Sequence, residues 1–118
     1  MERRLSKRIK VKLPVSVLLL GRQVCTMPSI DFSYRGLSFN CNYSTVQRIF
    51  PEGHRSNPND KVNFTLRVKV TEDFMLECNA VVTRFFRLSE DEYHVGVQFI
   101  GLDNEAQHSL IHYVNNSK

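Results

Sequence analysis

Apolar and polar residues alternate along most of this 118-residue chain. A period of two places one face of a segment against a core and the other toward solvent, which is typical of half-buried β-strands. The pattern predicts about six strands, at residues 11–19, 24–30, 37–41, 62–71, 74–82 and 93–99. Since proline cannot donate a ladder hydrogen bond, we expect an edge or bulge at Pro14 and a break in the second strand at Pro28.

The end of the chain changes to a helical period. Apolar residues recur there every three or four positions, at Leu102, Ala106, Leu110, Ile111 and Val114. This spacing predicts an amphipathic helix. Asp103 or Asn104 is the candidate cap, and Asn104 with Gln107 resembles a capping box. Residues 43–59, rich in turn formers, predict a long connection with one helical turn around 45–49.

These elements predict the fold class. Short strands that follow one another through turns pair antiparallel, because parallel pairing needs helical crossovers. We therefore expect an all-β dominated domain, an antiparallel barrel or sandwich of about six strands, with a C-terminal α-helix.

Length and composition indicate one ordinary globular domain. The chain is 42% hydrophobic and 24% charged, and 118 residues leave no room for two cores. No apolar run approaches the roughly 18 residues of a membrane span, and no signal-peptide pattern follows the basic N-terminus. We expect a cytoplasmic protein without membrane insertion.

The positive charge is concentrated at the N-terminus. Residues 1–12 contain six basic side chains and one acidic one, a net charge of +5, whereas the other 106 residues sum to −1. We interpret residues 1–12 as a flexible basic arm attached to a domain of residues 13–118. A local cluster of this kind indicates a compact anionic partner rather than a broad nucleic-acid surface.

A polar corner separates the second and third strands. It places an acid, a hydroxyl and a glycine at Asp31, Ser33 and Gly36. Asp31 is an acceptor for hydrogen bonds. Ser33 can bond a phosphate or hold the corner through its own backbone, and Gly36 permits a positive φ or a close backbone approach. A simple turn that only links two strands is the alternative.

Two motifs of this chain resemble those of the PilZ domain, a bacterial receptor module for cyclic di-GMP. Arg4-Leu5-Ser6-Lys7-Arg8 reads RxxxR, and the segment from Asp31 to Gly36 reads DxSxxG. Val95-Gly96-Val97-Gln98-Phe99 is similar to the final strand of the same family. The resemblance implies a barrel of the split type, with the arm wrapped over one face so that both motifs line one site.

Carried over residue by residue, the resemblance implies a ligand-binding set. The set is Arg4, Arg8, Asp31, Ser33 and Gly36, with Arg3 as a possible additional contact associated with ligand stoichiometry. The chemistry of arginine is compatible with this assignment, because its planar fork bonds phosphate bidentately and matches guanine O6 and N7. Without the second motif, the arm would read as a solvated, frayed terminus.

The function that the resemblance implies is that of a non-enzymatic cyclic di-GMP receptor. We expect no catalytic residue, no metal and no cofactor beside the ligand. Ligand binding would order the mobile arm and change the surface shown to a protein partner. The alternatives are a PilZ-like adaptor that binds protein independently of nucleotide and, less favoured, a nucleic-acid binder with a steep salt dependence.

Other candidate sites have weaker support. His108 and His112 have a metal-binding spacing on the predicted helix but no third ligand, so a solvated face is favoured. His54 and His94 have no nucleophile partner, which argues against hydrolysis. For Phe85-Phe86 we expect one ring in the core and the other over a sheet edge, with a surface patch as the alternative.

The three cysteines are expected to be structural. Cys25, Cys41 and Cys78 match no zinc or CxxC spacing, and each falls in a predicted strand. In such positions a free thiol behaves as a small hydrophobe.

Overall fold

Antiparallel strands and two helices make up the fold, which was analysed as a computed structural model that describes residues 7–50 and 63–116. The strands in this part of the chain are β1 (Ile9–Lys10), β2 (Pro14–Leu19), β3 (Arg22–Phe32), β4 (Gly36–Cys41), β5 (Asn63–Thr71), β6 (Phe74–Ser89) and β7 (Glu92–Ile100). The helices are α1 (Tyr43–Ile49) and α2 (Asn104–Asn115). Neither of these helices has both the length and the apolar character needed to cross a membrane.

The strands close into a barrel. Their order is β1-β3-β2-β5-β6-β7-β4, and β4 pairs again with β3, so that six strands form the closed ring. Every pairing between them is antiparallel. The predicted all-β fold, with a six-stranded antiparallel barrel and a C-terminal helix, is confirmed.

The strand β3 is the element around which the site is arranged. Its first part pairs with β2, and its last residues pair with β1 on the same side and with β4 on the other. Ser29 bridges the gap between β1 and β2, because its hydroxyl accepts from the Leu13 amide (2.9 Å) and donates to the Val11 carbonyl (2.6 Å). The chain from residue 9 to residue 19 is thereby fastened along β3.

The predicted break at Pro28 is wrong. β3 continues through it from Arg22 to Phe32, and Pro28 lies opposite Pro14 of β2. Because both residues lack an amide hydrogen, no ladder bond between them is lost by this pairing. The pairing resumes beside them with a hydrogen bond from the Ser29 amide to the Leu13 carbonyl, 2.9 Å.

The strand β6 extends beyond its predicted end at residue 82 and runs to Ser89. Its register against β7 shifts between Val82 and Arg84. Such a shift inserts a residue and interrupts the period-two pattern, so the alternation no longer marks the strand although the pairing continues. Arg84 and Phe86 consequently lie on a strand in the middle of the sheet.

The helices begin at side-chain caps. Asn42 accepts from the Thr45 amide at the start of α1, which is longer than the single predicted turn. Asp103 accepts from the Ala106 amide (2.8 Å) and is the cap of α2. Gln107 donates to the Leu102 carbonyl instead of completing a capping box. Leu110 and Val114 of α2 are buried in the core.

Candidate functional site

The short pairing of β1 with β3 brings the arm to the polar corner. Ile9 lies opposite Phe32 and Lys10 opposite Asp31. Arg8, immediately before β1, donates from Nη1 to Oδ1 of Asp31 at 2.9 Å. Both side chains remain accessible, 42% exposed for Arg8 and 20% for Asp31. The structure therefore joins one residue of each predicted motif, while Arg3 and Arg4 lie outside the described residues.

The hydroxyl of Ser33 holds the corner together. It accepts hydrogen bonds from the amides of Arg35 and Gly36, each at 3.2 Å, and lies 3.3 Å from the Gly36 carbonyl oxygen as a donor. The Ser33 amide also donates to that carbonyl, at 2.8 Å. Ser33 is only 1% exposed. Two roles were considered for Ser33, bonding a phosphate and holding the corner. The observed contacts are those of a residue that holds the corner.

Gly36 is required by the neighbouring strand. Its φ is not positive, so a glycine is not needed here for the positive φ that the sequence analysis considered. A Cβ on Gly36 would instead clash with the carbonyl oxygen of Val97 in β7. The close approach here is between two strands of the barrel wall, next to the corner.

A row of residues crosses the outer face of the barrel from the corner. In register, Asp31 of β3 lies opposite Ser38 of β4, Ser38 opposite Gly96 of β7, and Gly96 opposite Arg84 of β6. Three strand spacings separate the ends of this row, about 14 Å between backbones. Two small, buried residues thus lie between an acid and a base on this face.

A second row lies beside the first. Asn40 of β4, His94 of β7 and Phe86 of β6 follow one another in register. Nδ1 of His94 is 3.0 Å from Oδ1 of Asn40, and the ring stacks on Phe86 with centroids 4.9 Å apart. Burial lowers the pKa of His94, the positive charges of Arg84 and Arg8 lower it further, and Asp31 opposes them. The imidazole is therefore neutral near pH 7.

Sequence reasoning missed Ser38, Gly96 and Arg84. In the sequence, Gly96 belongs only to the pattern of the final strand, and Arg84 only adjoins Phe85-Phe86. No local pattern connects these residues with Asp31, since each lies on a different strand. Their common position follows from the register of four strands, which includes the shift at Val82 in β6.

The two phenylalanines take different positions. Phe85 stacks on Tyr93 (5.7 Å between centroids) and packs against Phe50, as predicted for the ring that enters the core. Phe86 lies on the outer face over His94 and not at a sheet edge, because β6 is an interior strand of the barrel.

The cysteines pack against the core as predicted. Burial raises the pKa of all three thiols, to about 11 for Cys41 and about 12 for Cys78, where Glu77 adds to the effect. They are therefore protonated and weakly nucleophilic at neutral pH.

The predicted helix histidines are exposed. His108 and His112 border an apolar groove of about 600 Å³ beside Phe74 and Tyr113. Among the residues that the structure describes, no three His, Cys, Asp or Glu side chains are grouped so that they could hold a metal ion.

Comparison with known proteins agrees with this architecture. A family model described as PilZ domain matches residues 2–116. A comparison of the chain with curated proteins gives no match.

Three solved structures are similar to this chain. The Bacillus subtilis inhibitor of motility MotI/DgrA has a TM-score of 0.68 at 16% identity and is matched over 98% of this chain and 50% of its own. The PilZ domain with c-di-GMP of YcgR from Escherichia coli has a TM-score of 0.65 at 10% identity, over 97% of this chain and 90% of its own. A tetrameric PilZ domain protein of Xanthomonas campestris has a TM-score of 0.51 at 12% identity, over 79% and 44%.

The chain spans about half the length of the first of these structures. At identities of 10–16%, these similarities show a shared fold only. The ligand of this chain has to be inferred from its own residues.

Proposed function

The chain belongs to the PilZ domain family, and from this premise we propose that it is a non-enzymatic receptor for cyclic di-GMP. The proposed site lies on the outer barrel face at the polar corner. The observation that carries the proposal is the Arg8–Asp31 ion pair, which connects the RxxxR and DxSxxG motifs across 23 residues of sequence. In support, the similar YcgR domain has been solved with c-di-GMP.

The proposed roles follow from the donors and acceptors of the ligand. Asp31 accepts from guanine N1–H and N2–H₂, and Arg8 bonds a phosphate or the O6 and N7 edge of guanine. The ion pair between them is exposed, and such surface pairs contribute about 0–1 kcal/mol. Little free energy is therefore lost when the two side chains break their ion pair and bind the ligand instead.

Ser33 and Gly36 act in this proposal mainly by shaping the corner. The three hydrogen bonds of the Ser33 hydroxyl and the tight approach of Gly36 to β7 hold Asp31 at the end of β3. A direct contact of Ser33 with a phosphate stays a prediction.

The arm provides the remaining positive charge. Arg4 is proposed as the second arginine of the site and Arg3 as an additional contact. In this proposal, ligand binding orders the part of the arm that precedes β1 and so changes the surface offered to a protein partner. The described pairing of Ile9 and Lys10 with β3 provides the base from which the arm reaches the ligand.

Isothermal titration calorimetry with cyclic di-GMP tests the site. Arg8→Ala and Asp31→Ala should each weaken binding about ten- to a hundredfold, because a charge-assisted hydrogen bond contributes about 1.5–3 kcal/mol. Arg67→Ala is the matched control: it removes an arginine paired with Glu77 (3.1 Å) that is not in the Asp31–Arg84 row. Variants that bind as tightly as the parent would contradict the site.

A parent chain that does not bind the nucleotide would contradict the function itself. In that case the adaptor alternative predicts that a partner is captured equally with and without cyclic di-GMP, and equally by an Arg4→Ala variant.

A further inference from the structure

We propose that Arg84 is a further ligand-binding residue, which contacts O6 and N7 of a guanine from the side of the site opposite Asp31. The inference rests on the proposed function and extends it to a strand that carries neither sequence motif.

The position of Arg84 is set by the register of the barrel. It ends the row that begins at Asp31, and β4 and β7 lie between them. Alternation places Arg84 on the outer face, since Phe85 after it packs toward the core. Arg84 and Arg8 both lie close enough to His94 to lower its pKa, which indicates that the two cations border the same patch of surface.

The guanidinium of Arg84 leans inward over the row. Its Nε lies 2.9 Å and its Nη2 3.3 Å from the place that a Cβ on Gly96 would occupy. These two nitrogens form the bidentate donor edge of an arginine. Arg87, in contrast, uses the same two atoms to bond the carbonyls of Ser89 and Glu90 at the hairpin tip.

The donors of Arg84 are not used elsewhere in the part of the chain that the structure describes. Within residues 7–50 and 63–116, no hydrogen bond or ion pair joins its side chain to another residue. The guanidinium is therefore held over the floor of the row with its hydrogen-bonding capacity available to a ligand.

The floor between the two ends is suited to a flat group. Gly96 has no side chain, and the hydroxyl of Ser38 is buried without a hydrogen-bond partner among the described residues. Buried hydroxyls are normally bonded, so the Ser38 hydroxyl is an exception, and it lies beneath the surface between the two ends of the row. Because the guanidinium of Arg84 already lies over Gly96, a purine would lie over Ser38, with one edge toward Asp31 and another toward Arg84.

The two ends of the row match guanine and not adenine. Guanine presents donors at N1 and N2 and acceptors at O6 and N7, whereas adenine carries a donor amino group where guanine has O6. Asp31 offers only acceptors when ionised and Arg84 offers only donors. The two ends of the row therefore present groups that are complementary to two edges of guanine.

Calorimetric titration of Arg84 variants with cyclic di-GMP tests the proposal. Arg84→Ala should weaken binding about ten- to a hundredfold, the range expected for one bidentate arginine–guanine contact. Arg84→Lys should recover only a minor part of the loss, because an ammonium cannot bond O6 and N7 in a fork. Arg67→Ala, which removes the same charge, should stay within about twofold of the parent.

Gly96→Ala tests the position of the Arg84 guanidinium without removing Arg84. The added methyl group would meet the guanidinium at 2.9 Å and push it from the floor, without reaching any backbone atom as closely. Binding should weaken in this variant, and less so when Arg84 is already alanine. Thermal unfolding of each variant verifies that the barrel is intact.

The outcomes separate this proposal from the one on which it rests. No binding by the parent overturns the proposed function and the role of Arg84 with it. If the parent binds and Asp31→Ala weakens binding, then parent-like or tighter binding by Arg84→Ala overturns the role of Arg84 alone. Full recovery of binding in Arg84→Lys overturns the bidentate guanine contact.

Discussion

At the scale of single residues, Gly36 shows that a glycine in a ligand-binding motif can be required by the fold. Its missing Cβ makes room for the carbonyl oxygen of Val97, which belongs to the backbone of β7 and cannot rotate away. The sequence predicts a glycine with a special role at this position. It does not reveal whether a turn, a ligand or another strand requires it, because the partner is 61 residues away.

Gly36→Ala should therefore destabilise the barrel, by about 1–3 kcal/mol as for other overpacked positions. Gly96→Ala is the control on the adjacent strand, since its nearest neighbour would be the mobile end of the Arg84 side chain and the loss should be smaller. Urea unfolding of the two variants measures the difference. Equal losses would contradict the close approach of β4 and β7 at Gly36.

His94 makes stability depend on pH. Because its pKa in the folded chain is lowered from 6.5, the unfolded chain takes up a proton first as the pH falls. The contribution of neutral His94 to the free energy of unfolding is fully present above about pH 6.5 and is lost as the pH falls through the lowered pKa. Arg84 and Arg8 act in the same direction as burial, and Asp31 acts against them.

Urea unfolding of the parent and of His94→Gln between about pH 5 and pH 8 measures this effect. As the pH drops below about 6.5, the free energy of unfolding of the parent should decrease relative to that of the variant. His112→Gln, on the exposed side of α2, is the control for loss of a histidine elsewhere. A difference between parent and His94→Gln that does not vary with pH would refute the assignment.

At the scale of elements, the site depends on how β1 is fastened to β3. Two residues of β1 make few ladder bonds, and the bridge by Ser29 continues the attachment across residues 11–13. The sequence predicts a strand over residues 11–19, where the alternation is continuous, and does not predict the two-residue strand β1 before it. In the structure β2 begins only at Pro14, which faces Pro28, a pairing that neither proline predicts by itself.

Ser29→Ala should loosen this attachment. The Leu13 amide would be left buried without its acceptor, which costs about 1–3 kcal/mol of stability, and Arg8 would be held less well beside Asp31. Urea unfolding and cyclic di-GMP titration should both show the loss. Ser16→Ala is the control, because the Ser16 hydroxyl is exposed and lies 3.1 Å from the Thr26 hydroxyl. A Ser29 variant no weaker than the Ser16 variant would contradict the bridge.

At the scale of the whole molecule, the closed barrel brings distant segments to one face. The strand pattern, the terminal helix and the two motifs were predictable, since each is encoded in local spacing. The end of β6 and the row from Asp31 to Arg84 were not, because they depend on register shifts and on which strands become neighbours. The row combines residues of four strands, and local sequence patterns do not predict which residues of different strands become neighbours.

The barrel also links the corner to the terminal helix. Phe32, next to Asp31, is fully buried and packs against Phe99 of β7 and edge-on against Tyr113 of α2. The outer face therefore rests on a continuous core that includes α2. This core gives Asp31 and the other described residues of the proposed site a rigid support.

The most direct test of the central claim is a calorimetric titration of the parent chain with cyclic di-GMP beside cyclic di-AMP. The two ligands share the phosphodiester ring and differ in the base edges that Asp31 and the arginines would contact. We expect saturable binding of cyclic di-GMP, with cyclic di-AMP at least about tenfold weaker, since each mismatched bidentate contact costs about 1–3 kcal/mol. Absence of binding, or equal binding of both nucleotides, would contradict it.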